Sequence, residues 1–134
     1  MVGVGVRPAA GIQTALYQRL NGALSCPVYD YVPEAAAHPY VTIGEISTES
    51  ADNTHDGLGR DTTIYLHVWS RERGWIQANT IADEATTLVD HQPLTVPGHH
   101  TVSVRFEFGQ NITDEDPAIR HVVLRFRITT EQEQ

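Results

Sequence analysis

Residues 62–90, TTIYLHVWSRERGWIQANTIADEATTLVD, hold one strand and the helix that follows it. Ile64, Leu66 and Val68 alternate with Tyr65, His67 and Trp69, the period of two that marks a sheet strand. Residues 70–74 break that pattern. Ala78, Ile81, Ala82, Ala85, Leu88 and Val89 then recur at helical spacing. A helix covers one face of a sheet, and the aliphatic side of this strand suits it. The side bearing Tyr65, His67 and Trp69 calls for a second partner.

Upstream of this unit, residues 11–24 read as a helix, with Ile12, Leu16, Leu20 and Leu24 four apart. Gly22 and the pair Cys26-Pro27 end it. Short strands are predicted at residues 28–32 and 40–46, joined by a connector in which Pro39 pushes His38 toward extended backbone. Residues 47–61 then read as the longest unstructured stretch, with Glu49, Asp52, Asp56 and Asp61 against the single base Arg60, a net of −3. Loops of that length are usually functional or disordered.

Downstream, residues 101–108 alternate, with Val102, Val104, Phe106 and Phe108 on one side and Arg105 and Glu107 on the other. Residues 109–118 read as a second acidic loop, where Asp114, Glu115 and Asp116 meet no base. The last strand, residues 119–129, turns Val122, Leu124, Phe126 and Ile128 inward and Arg125 and Arg127 outward. Residues 1–10 read as a loose arm and 131–134 as a frayed tail, so the whole chain, 1–134, is one domain. Two helices on one face of a mainly antiparallel sheet make an α+β fold. Its other face would gather Tyr65, His67, Trp69, Arg105, Arg125 and Arg127. Aromatic residues and arginine are enriched at protein interfaces.

The net charge of −8 argues against binding nucleic acid by phosphate neutralisation, and the nine basic residues are all arginine. One cysteine, Cys26, rules out an internal disulfide and a cysteine-based zinc cluster. The first ten residues lack the basic start and apolar run of a signal peptide, and no run reaches membrane-spanning length. The seven histidines are scattered and form no helical H-x-x-x-H. Surface or core roles fit them better than metal ligation. No G-x-S-x-G elbow occurs, and Cys26 beside Pro27 reads as an inert thiol. Residues 114–116 lack the D-x-D-x-D-G pattern of a calcium loop. The residues predict no enzyme, no cofactor and no metal.

Four stretches in order carry a resemblance: VYDYVPEAAAHPYVTIGEIS (28–47), LHVWSRERG (66–74), GHHTVSVRFEF (98–108) and RHVVLRFRI (120–128). Together they resemble the tail-completion, or tail-terminator, proteins of long-tailed bacteriophages and gene-transfer particles, from about residue 12 to 130. The resemblance implies a virion protein, assembled in the bacterial cytoplasm, that forms a hexameric ring at the head-proximal end of the tail tube. Its partners would be further copies of itself, the tail tube protein and the head–tail connector or stopper protein, with DNA only as passing cargo. No catalytic residue follows from it. The resemblance also implies that the loop at 47–61, carrying Glu49, Asp52, Asp56, Arg60 and Asp61, contacts neighbours or lines the channel. The acidic loop with Asp114, Glu115 and Asp116 suits the same channel, because like charge keeps DNA from sticking. A different class also fits the residues: a small α+β ligand-binding or regulatory module that dimerises through the sheet face.

Overall fold

The strand at residues 62–70 is the middle of a sheet, as its two large-sided faces require. In the computed structural model, which describes residues 5–51 and 57–133, the chain runs α1 (Ala9–Leu20), β1 (Val28–Tyr29), β2 (Tyr40–Ala51), β3 (Gly59–Ser70), α2 (Ile76–Val89), β4 (His99–Thr113) and β5 (Arg120–Gln132). The sheet order is β1-β2-β3-β5-β4, with antiparallel pairing everywhere except the short β1–β2 contact. The α+β architecture expected from the pattern is the one observed.

One core holds it together. Ile12, Leu16 and Leu20 of α1 and Ala78, Ile81, Ala85 and Val89 of α2 pack in one cluster with Val41, Ile64, Leu66, Val68, Leu124, Phe126 and Ile128 of the sheet. Both helices therefore lie on the same face. Small alanines on α2 let the helix approach the broad aliphatic side chains of β3 and β5. The turn into α2 is built by Ser70, whose hydroxyl donates to Gln77 at 2.5 Å and accepts the Glu72 amide at 3.2 Å. Gly74, at φ +74°, completes that turn in a conformation that other residues resist.

The first helix begins and ends earlier than its apolar stripe suggests. It stops at Leu20, and Gly22 at φ +82° turns the chain, yet Leu24 is still buried beyond the turn. Burial, and not helix, is what the fourth leucine of the stripe reports. The strand expected at 28–32 shrinks to two residues, because the chain bends away at Asp30 and Tyr31, which is 87 % exposed.

Two expected loops are largely strand. Residues 47–51 continue β2 and residues 59–61 begin β3, paired as Glu49↔Thr62, Ser50↔Asp61 and Ala51↔Arg60. The polar serines and threonines there hide the strand because residues 47–51 stay half-buried or exposed, and their side chains need not be apolar. Residues 52–56, with Asp52 and Asp56, lie outside the described residues. Likewise β4 runs on to Thr113, and the acidic loop contracts to the turn after it.

Bulges overturn the facing expected for β4. The register slips between Thr101 and Ser103 and again between Phe106 and Phe108. The first slip leaves Val102 55 % exposed. The second re-aims Phe108 onto the face opposite the helices, so only Val104 of the four predicted core residues is buried. A bulge inserts one residue and reverses the alternation after it.

Candidate assembly interface

On the sheet face away from the helices, register brings the expected residues together. Tyr65 stands opposite Arg125, Thr63 opposite Arg127, and Arg127 opposite Arg105. His67 and Trp69 continue the row on β3, facing Val123 and His121 of β5. The six residues named from the sequence thus share one face.

Their contacts form two clusters. In the first, the Trp69 ring stacks on His121 with centroids 3.8 Å apart and planes 12° apart. The Trp69 indole N–H donates to Thr42 Oγ1 at 3.1 Å. His67 Nδ1 lies 2.7 Å from His121 Nε2, and His67 Nε2 lies 3.2 Å from Glu45 Oε1. One arrangement of protons satisfies all three groups: His67 donates to the carboxylate through Nε2 and accepts from His121 on Nδ1. Gly44 makes this possible, since a Cβ there would collide with the His67 ring.

Burial holds the His121 proton affinity below the ordinary histidine value, and the adjacent His67 pushes the same way; Asp114 and Glu45 oppose them. A second proton on the pair would set two N–H groups against each other. The histidines, scattered in sequence, are here partly gathered. Alternation along the last strand turns His121 to the same side as Arg125 and Arg127, but only the β3–β5 register places it against His67. Among the described residues no group of three His, Cys, Asp or Glu side chains is arranged to hold a metal. Cys26 is half-buried, and burial with the nearby Glu84 raises its thiol to about 11, so it stays protonated.

The second cluster is cationic. Arg125 sits over the Phe108 ring at 4.1 Å and pairs with Glu107 at 3.1 Å. Arg127 reaches the other oxygen of Glu107 at 3.4 Å and remains more than half exposed. Arg105 is exposed beside it. Phe108 reaches this face only through the bulge, which is why the alternation in the sequence misassigns it.

The acidic residues do not form one patch. Arg7 pairs with Glu49 at 2.8 Å, and the Thr129 hydroxyl donates to Asp61 at 2.6 Å. Arg60 donates to the Gly59 carbonyl at 2.8 Å. At the other end of β5, Asp114 and Asp116 accept backbone N–H groups from Asp116 and Ala118, and Arg71 lies 3.6 Å from Asp116. A base therefore does meet that turn, supplied from the β3–α2 connection. Glu115 is exposed. The Gly59 end of β3 pairs with Glu131 and the Ser70 end with Arg120, so the acidic segments stand at opposite ends of the sheet.

The free face of this helix-backed sheet thus offers stacked aromatics and arginines, the residue types enriched at protein interfaces. Comparison with known proteins places it further: the chain belongs to the family described as Tail completion protein gp17, which it matches over residues 13–131. It is a structural protein of the bacteriophage tail, carried in the virion. The Tail completion protein gp17 of Bacillus phage SPP1 is 28 % identical over 92 residues, covering 69 % of this chain and 67 % of that protein. In fold, the chain is similar to a chain in the virion of a native gene transfer agent particle, with a TM-score of 0.84 at 20 % identity over 95 % of this chain and 99 % of that one.

Proposed function

We propose that this protein forms a ring, hexameric by the resemblance noted above, at the head-proximal end of the tail tube. The ring ends tube growth and offers its far side to the head–tail connector or stopper. Family membership supports the tail, and one structural observation supports assembly: the free sheet face keeps Tyr65, Trp69, Arg105 and Arg127 partly or largely exposed. Large aromatics and arginines held rigid at a surface are the anchors of protein contacts. This face meets neighbouring copies or the joining partner. The ligand-module reading is weaker, because Trp69 lies flat on His121 and the rings pack on one another instead of walling a pocket. The role is structural and needs no catalytic group. DNA passes through as cargo, and the net charge of −8 disfavours the phosphate binding at which it would stall.

Electron microscopy of particles made with and without the chain tests this. Without it, tube length should lose its fixed value and tails should fail to join heads, and the labelled chain should map to the head-proximal end in complete particles. Tails of normal length that join normally without it would overturn the proposal.

A further inference from the structure

The sheet has two open edges, and they lie at opposite corners. β1 covers only Val41 and Thr42 of β2, leaving residues 46–51 as a bare edge. On β4 the segment after α2 covers the first half, with the His91 amide donating to the Val104 carbonyl and the Phe106 amide donating to Asp90. Residues 107–113 form the second bare edge. Among the described residues no backbone hydrogen bond joins the outer side of residues 46–51 or 107–113 to another segment.

Each edge carries a bulge at its start but no other common protection. Free edges are also blunted by proline, lysine or unpaired charge. Here both stretches lack proline, and their only charges, Glu49 and Glu107, are already paired with Arg7 and with Arg125 and Arg127. The edges also match each other in length and direction. β2 runs antiparallel to β3, β3 to β5 and β5 to β4, so β2 and β4 point in opposite directions.

We infer that residues 107–113 of one copy pair antiparallel with residues 46–51 of the next, joining the sheets of successive subunits into one continuous wall. This rests on the ring reading above and gives it a specific contact. Register sets the geometry. Asn111 stands level with Val122, Val68 and Val41, whereas Ser47, past the two slips in β2, stands level with Ile64–Thr63, so seating Asn111 against Ser47 of the next copy shifts that copy by about four to five residues along the strands. Four to five residues are roughly 15 Å along the strand, and the four strands β2-β3-β5-β4 that repeat from copy to copy span about 19 Å across. The slope corresponds to a tilt of about 40°, inside the range of about 35–45° at which twisted strands close into a cylinder. The diagonal placement of the open edges is thus the stagger a closed wall needs.

Cysteine pairs test the contact. In a Cys26→Ser background, Gln110→Cys is combined in turn with Ser47→Cys, Thr48→Cys and Ser50→Cys, the set allowing for the β2 bulge. Circular dichroism first checks that each variant folds. Opposed strands bring cysteine Cα atoms to about 4.5–5.5 Å, within reach of a disulfide. Mild oxidation of assembled rings should give at least one pair a ladder of covalent oligomers ending at the ring size, with no ladder from single-cysteine controls. Intact rings in micrographs with no ladder, or with covalent dimers only, would overturn the edge pairing and leave the ring standing. No ring on isolated tubes or in particles would remove the proposed function and the edge pairing together.

Discussion

Trp69→Ala separates assembly from folding, because the ring serves the monomer modestly and the contact surface heavily. Within one subunit the substitution removes the stack on His121, worth about 0.5–1.5 kcal/mol. It also removes the hydrogen bond to Thr42, worth about 1 kcal/mol. With the partial burial of the ring, the loss should be roughly 2–3 kcal/mol, against the about 5–15 kcal/mol that holds a typical domain folded. The variant should keep its circular dichroism and unfold at lower denaturant. At an interface, loss of a central aromatic anchor costs about 2 kcal/mol or more, about a 30-fold weakening of each contact. Every contact around a ring carries that loss, so assembly should fail at concentrations where the unmodified chain assembles fully. Leu66→Ala is the control: it lies on the same strand but faces the core, is fully buried, and should cost about 2–5 kcal/mol of stability. Denaturant midpoints and light-scattering masses are measured for both. The reasoning is refuted if Trp69→Ala assembles like the unmodified chain, or if Leu66→Ala loses assembly to the same degree while still folded.

Other outcomes follow from the same geometry. Because burial and His67 hold His121 below the ordinary histidine value, its neutral form favours the fold; stability should be full above about pH 6.5 and fall as acid protonates the unfolded chain more readily, and His121→Asn should flatten that slope in denaturant titrations across pH 5–8. Thr62 is fully buried with no partner for its hydroxyl among the described residues, so Thr62→Val should raise the unfolding free energy by about 1 kcal/mol in urea melts, and a loss would reveal a partner. Trypsin should spare Arg60, whose backbone pairs with both Ala51 and Thr130, and cut first at the exposed Arg71–Arg73 bend, as mass spectrometry of early fragments would show. Replacing Asp114, Glu115 and Asp116 by Asn, Gln and Asn keeps acceptors for the turn, so particles should assemble; if that turn borders the DNA path, ejection rates should change and depend on salt, and unchanged ejection at two salt concentrations would place the turn away from it.

The sequence by itself determined the strand–helix unit at 62–90 and the inward faces of β3 and β5, because periods of 2 and 3.6 are local consequences of backbone geometry. It also determined that Tyr65, His67, Trp69, Arg125 and Arg127 would lie opposite the helices, since alternation along a regular strand carries facing with it. Where the strands were irregular or projected past the core, the signal failed. Bulges in β4 reversed the facing of Phe108, and a serine- and threonine-rich end of β2 looked like loop because its side chains lie at the surface and need no apolar alternation. Only tertiary structure set His121 beside His67, gave Glu107 two arginines, and sent the acidic segments to opposite ends of the sheet. Those placements depend on which strand lies next to which and in what register. Such pairings join residues tens of positions apart, and no local pattern encodes them.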